Sequence, residues 1–130
     1  MHDDGSLRVL LVEDEPVNRI LVAAMIERSS DALGLVDLRE AATLAEARLL
    51  LATEAFDVVL VDARLPDGNG LDLIPELRSR APDPPRVAVV SASVLPGEQA
   101  TALAHGADAF LGKPFSAAGL VALLDRLSQL

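Results

Sequence analysis

Five side chains concentrate the chemical potential of this 130-residue chain. Glu13 and Asp14 follow the apolar run RVLLV, Asp62 ends VVLVD and opens a Pro/Gly-rich turn, Ser91 follows RVAVV, and Lys113 follows the short run AFL. Two like charges about 4 Å apart repel by roughly 4 kcal/mol at an effective dielectric of 20. Three clustered carboxylates therefore need a cation, and one lysine supplies too little charge. Ten of the eleven cationic residues are arginine, so Lys113 is the sole lysine. Hard carboxylate oxygens with no His or Cys nearby favour Mg2+, which binds few carboxylates, keeps waters and takes phosphate oxygens. A rim of this composition suits phosphoryl groups.

Those five residues meet only if the elements before them are parallel strands. Arg8–Val12, Val58–Asp62 and Arg86–Val90 are runs of branched aliphatics with no polar face, the pattern of strands buried on both sides. Val36–Ala41 alternates apolar and charged residues and reads as an edge strand. Ala109–Leu111 is a short fifth strand. Between them lie helical patterns. Pro16 opens the first helix, with Val17, Ile20, Leu21, Ala24 and Met25 as its expected inward face. Thr43-x-x-Glu46 fits a capping box for the second, and the third runs from Asp72 to about Arg80 around Pro75. A fourth, from about Pro96 to His105, ends at the cap residue Gly106, with alanines and Leu103 inward and little apolar area to bury. Ser116 caps a fifth whose Leu120, Leu123, Leu124 and Leu127 form a regular stripe. Five strands alternating with five helices make an α/β doubly wound sheet, in which ligands sit beyond the strand carboxyl ends.

Composition narrows the function. The formal charge of −9, no Trp or Tyr and only three Phe argue against direct nucleic-acid binding. The absence of cysteine excludes disulfides and thiol chemistry. No apolar run is long enough for a membrane span and MHDDGS lacks a secretion pattern, so a soluble, cytoplasmic domain without membrane contact is expected. Met1–Ser6 reads as a disordered start, and residues 7–130 as one domain.

Four pieces in order, LLVEDE (Leu10–Glu15), LVDARLPDGNG (Leu60–Gly70), VVSAS (Val89–Ser93) and GADAFLGKPF (Gly106–Phe115), resemble the receiver domains of two-component response regulators. The resemblance implies a flavodoxin-like, five-stranded parallel sheet of order 2-1-3-4-5. It implies that Asp62 is the phosphoacceptor, taking a phosphoryl group from a phosphohistidine of a histidine kinase or histidine phosphotransfer protein. Asp14, Asp62 and the Arg64 carbonyl would bind Mg2+, with Glu13 acting through water; Ser91 and Lys113 would each contact a phosphoryl oxygen. Phe110 matches the aromatic that turns inward as Ser91 is drawn to the phosphoryl group. The fourth helix, fifth strand and fifth helix would then form the output face and a possible dimer surface. The Lys113–Pro114 bond resembles the family's cis peptide, which would aim the lysine inward. Arg64 and Ser93 occupy positions that influence phosphoryl lifetime. The run EDEPVNR (Glu13–Arg19) looks more like receivers attached to hybrid histidine kinases than those preceding a DNA-binding domain. A receiver of either kind catalyses its own phosphorylation and dephosphorylation and turns over no external substrate.

Each piece alone has a plainer reading, since a lone Asp before a Pro/Gly turn is usually a turn former and Glu13-Asp14 a solvated loop. Their convergence with the sole lysine reverses that weighting. A haloacid-dehalogenase-like phosphatase also uses an Asp nucleophile with Mg2+, but it wants a second acid where this chain has Arg64. A flavodoxin-like cofactor binder would need a Ser/Thr/Gly-rich phosphate loop after the first strand, and the chain has none. A receiver-like module that binds without phosphorylation would not need the complete acid, hydroxyl and lysine set. Asp67-Gly68-Asn69-Gly70 hints at a calcium loop, but Leu71 stands where a third oxygen should be, so the segment reads as a tight turn.

Overall fold

The computed structural model describes residues 5–80, 83–92 and 96–130. The expectations for Met1–Asp4, and for Ser93 as a lifetime position, concern residues outside that set. The apolar runs form strands β1 (Leu7–Val12), β2 (Val36–Ala41), β3 (Val58–Asp62), β4 (Arg86–Ser91) and β5 (Ala109–Gly112). All pair in parallel, in the order β2-β1-β3-β4-β5 expected of the flavodoxin-like doubly wound sheet. The alternating strand β2 does lie at an edge, half-buried over Val36–Leu38 and exposed at Arg39 and Glu40.

Successive side chains of a strand point to opposite faces, so each buried strand feeds two cores. Leu10, Val12, Val59, Val61, Val87 and Val89 pack on one side against helices α2 (Leu44–Thr53), α3 (Leu73–Arg78) and α4 (Pro96–Ala104). Val9, Leu11, Val58, Leu60, Ala88 and Val90 pack on the other against α1 (Pro16–Arg28) and α5 (Ala117–Ser128). The α5 stripe of Leu120, Leu123, Leu124 and Leu127 is buried throughout, each leucine contributing about 1.5–3 kcal/mol of transfer free energy. Its N-terminus is closed by Ser116, whose hydroxyl accepts from the Gly119 N–H at 3.0 Å.

Two helix faces differ from expectation. Val17, Ile20 and Leu21 of α1 are 64%, 68% and 50% exposed, and the helix is anchored instead by Val22 and Ile26 with half-buried Met25. The segment from Val17 to Ile26 is apolar around most of its circumference, so periodicity did not fix its phase. In α4 the buried residue, among those whose side chains are described, is Ala102, while Leu103 is 47% exposed. The C-terminus of α4 closes as anticipated: Gly106, at φ 104, and Ala107 donate backwards to the carbonyls of Leu103 and Ala102. Beyond α1 the chain also makes an extra helical turn, Ser30–Leu33, ending at Gly34 with φ 72.

The segment after β3 is a small antiparallel hairpin, Arg64–Leu65 against Gly68–Asn69, followed by a 3-10 turn over Gly70–Asp72 that leads into α3. Pro75 falls in the first turn of α3, where its missing N–H costs little. Gly70 is indispensable here, because a Cβ on it would lie 2.0 Å from the Asp62 carbonyl oxygen. Gly70→Ala should therefore lower the unfolding free energy by about 2–3 kcal/mol, read from the urea midpoint; an unchanged midpoint would contradict this packing.

Candidate functional site

The strand register sets the site. Val12 pairs with Val61, Asp62 with Val90, and Ser91 with Gly112. Glu13, one residue beyond the Val12–Val61 pair, and Lys113, one beyond the Ser91–Gly112 pair, thus join Asp62 on the carboxyl rim. Lys113 Nζ donates to Glu13 Oε1 at 2.5 Å and to Asp62 Oδ2 at 2.7 Å. The other Asp62 oxygen, Oδ1, accepts the Arg64 N–H at 3.0 Å, so both oxygens of this carboxylate are held. Burial would lower the Lys113 ammonium, but hydrogen bonds and attraction from Asp62 and Glu13 outweigh it and hold the group above lysine's ordinary range. Glu13 is only 3% exposed. Its burial raises the carboxyl above the usual range despite hydrogen bonds from Lys113 and the Glu15 N–H, and the Asp62 charge adds to the rise.

Asp14 completes the cluster: Glu13, Asp14 and Asp62 each offer an oxygen, and these atoms lie within 4.8 Å of one another. Opposite ligands of an ion with 2.1 Å bonds are about 4.2 Å apart, so small side-chain adjustments would bring the three oxygens onto Mg2+. An all-oxygen donor set without nitrogen or sulfur fits that ion. The cluster is thus capable of holding Mg2+.

Ser91 is buried at the end of β4, and with Asp62, Arg64, Ala92 and Lys113 it lines a cavity of about 470 Å3 open to the acidic rim. Phe110 does not line that cavity. It is half-buried on β5 and lines a second cavity, of about 260 Å3, with Ser91, Thr101 and Ala102 beneath α4. The Lys113–Pro114 peptide is cis. Arg64 is exposed, and its backbone rather than its guanidinium touches Asp62. Two supporting residues had no local sequence signal. The Arg19 guanidinium donates to the Glu13 carbonyl at 2.8 Å, fixing the loop that carries the acids. Asp67 reaches across to the start of α2, where its carboxylate accepts the Leu44 and Ala45 N–H groups.

The family model for the response regulator receiver domain matches residues 9–125. The chain belongs to the response regulator receiver family. It is 42% identical over 107 residues to the response regulator protein PilR of Pseudomonas aeruginosa, covering 82% of this chain and 23% of that one. Two-component response regulator ORR41 of rice, Oryza sativa subsp. japonica, is 34% identical over 120 residues, with 92% of this chain and 93% of that protein covered. Among solved structures, the receiver domain of sensor histidine kinase PA1611 from Pseudomonas aeruginosa superposes with a TM-score of 0.82 at 26% identity, over 97% of this chain and 100% of that one. That structure carries a magnesium ion in its active-site cleft. The receiver cluster Glu13, Asp14 and Asp62 is consistent with the Mg2+-dependent phosphoaspartate chemistry of two-component signalling.

Carboxylates this close repel by roughly 3–4 kcal/mol per pair at an effective dielectric of 20, and Lys113 offsets only part of it. Solvent screening at half-exposed Asp14 reduces the recoverable part to about 1 kcal/mol. Asp14→Asn should raise the metal-free melting temperature by a few degrees and abolish the stabilisation that Mg2+ gives the parent receiver. Calorimetry with and without Mg2+ checks both; a variant still stabilised by the ion would exclude Asp14 from the metal site.

Proposed function

We propose that this receiver accepts a phosphoryl group on Asp62 from the phosphohistidine of a histidine kinase or histidine phosphotransfer protein, and signals through α4, β5 and α5. The observation that carries the proposal is the held carboxylate of Asp62, bridged by Lys113 to Glu13 and placed beside Asp14. In the transfer, a carboxylate oxygen attacks phosphorus, the P–N bond breaks, and its electron pair returns to the imidazole, leaving an acyl phosphate. Asp14 and Asp62, with the Arg64 carbonyl and with Glu13 through water, would hold Mg2+, which when bound supplies charge neutralisation for the phosphoryl oxygens. Lys113 contributes a cation for one phosphoryl oxygen, and the Ser91 hydroxyl donates to another.

Two charge-assisted hydrogen bonds are worth about 1.5–3 kcal/mol each, against roughly 5.5 kcal/mol to swing a two-state equilibrium from 1:99 to 99:1. The switch is therefore affordable to these two contacts only if the moving part is weakly held. A helix anchored by Ala102 and bordering the cavity lined by Phe110 meets that condition. Phe110 acts by packing alone, having no hydroxyl. The surface of α4, β5 and α5, where Leu103 is exposed, serves the output partner or a second copy.

The exposed stripe Val17, Ile20 and Leu21 supports a docking role for α1. These positions recur at i, i+3 and i+4, the pattern that packs against a helix of another protein. A cavity of about 350 Å3 is lined by Leu21 of that stripe, by Met25, Pro114 and Phe115, and by Asp62 itself. A helical donor seated on the stripe would therefore border a cavity that also reaches the acceptor.

Incubation with acetyl phosphate and Mg2+ should add the mass of one phosphoryl group, and Asp62→Asn should add none; equal labelling would refute the assignment. Phe110→Ala should label normally yet lose the chemical-shift response of α4, and a preserved response would remove Phe110 from the switch. Ile20→Glu should slow transfer from a phosphohistidine donor about tenfold, as a loss of about 1.4 kcal/mol of docking would, while acetyl phosphate labelling stays unchanged. Transfer at the parent rate would move the docking surface elsewhere.

A further inference from the structure

The first three N–H groups of helix α2, those of Leu44, Ala45 and Glu46, all have side-chain acceptors, and one of these acceptor residues comes from the turn beside Asp62. The first N–H groups of a helix have no intrahelical acceptor. Thr43 takes the Glu46 N–H on its hydroxyl at 3.1 Å, while its carbonyl accepts the first regular helical bond, from Ala47 at 3.1 Å. The remaining two go to Asp67: Oδ1 accepts the Leu44 N–H at 2.9 Å and Oδ2 that of Ala45 at 3.0 Å. These two bonds hold the Asp67 carboxyl below the usual carboxylate range.

The same hairpin touches α2 a second time. Gly68 approaches buried Leu44 so closely that a Cβ would lie 3.0 Å from Leu44 Cδ1, and Leu65 packs into the same core. Within the hairpin Leu65 pairs with Gly68 and Arg64 with Asn69. Arg64 then donates its N–H to Asp62 Oδ1. A connected path of hydrogen bonds and packing runs from the N-terminus of α2, through Asp67 and the hairpin, to the carboxylate of Asp62.

We infer that Asp67 is a positioning residue for the phosphoacceptor site: by mooring the hairpin to α2 it fixes the Arg64 backbone, whose N–H orients Asp62. The inference rests on the reading of Asp62 as phosphoacceptor and of the Arg64 carbonyl as a metal ligand. Asp67 touches none of the reacting groups and acts through Arg64. Thr43 separates this role from simple helix capping, because its side chain caps the same helix through Glu46 and makes no hydrogen bond to the hairpin among the described residues.

The test compares the 15N-labelled parent with Asp67→Ala, Asp67→Asn and Thr43→Ala. Mg2+ affinity is read from amide shifts during titration, and the exchange rate of the Arg64 amide is read without metal. Loss of an outer partner that orients a ligand commonly weakens metal binding by about tenfold or more. Asp67→Ala should therefore bind Mg2+ about tenfold more weakly, accept phosphate from acetyl phosphate more slowly, and exchange the Arg64 amide faster. Asp67→Asn, with one acceptor oxygen, should fall between it and the parent. Thr43→Ala should lose stability yet match the parent in Mg2+ affinity and Arg64 exchange. Parent-like Mg2+ affinity and Arg64 exchange in Asp67→Ala would overturn the inference, as would equal weakening in Thr43→Ala. A parent chain that takes up no phosphate would instead refute the phosphoacceptor reading, and Arg64 exchange would still decide the mooring.

Discussion

The mutual repulsion of Glu13, Asp14 and Asp62 is the constraint around which this domain is built. Side chains left to themselves would separate; here the parallel register of β1 and β3 sets Glu13 beside Asp62, and the loop after β1 adds Asp14. Lys113, arriving from β5 across β4, bridges two of the acids and relieves part of the strain. A fully compensated cluster would be stable and inert. One cation short, it favours the arrival of a divalent ion, and that shortage is what links the architecture to phosphoryl chemistry.

Anchorage is uneven around the sheet. Four buried leucines fix α5 on one face, while α4 on the other relies on Ala102 and on the closed turn at Gly106. That turn is itself clamped, since Arg78 of α3 donates twice to the Gly106 carbonyl and also to the Asp108 carboxylate. The C-terminus of α4 is therefore tied down.

Much of this was legible in the sequence because the relevant signals are local. Strand periodicity, the hydroxyl caps at Thr43 and Ser116, and the glycine at 106 each depend on neighbours within a few residues, and each element appears where those signals lie. The sole lysine and the strand-end acids became a site only through topology, which the alternation of strands and helices supplied. The phase of α1 was not legible, because Val17–Ile26 offers apolar residues on both sides and only its packing against the sheet and α5 chooses between them. Leu103 misled for a similar reason: size suggested burial, and the sheet took the smaller Ala102. Asp67 looked like a turn former because its partners, Leu44 and Ala45, lie more than twenty residues earlier in the chain.

Lys113 has a consequence beyond charge. As the chain's sole lysine it is also its only side-chain amine, and that amine is enclosed between two carboxylates at the centre of the site. An amine-directed acylating reagent therefore has one internal target, whose nucleophilicity is suppressed while the ammonium remains bridged. The domain carries its own reporter: the reactivity of a single nitrogen registers whether Glu13 and Asp62 are holding it or have turned to another cation.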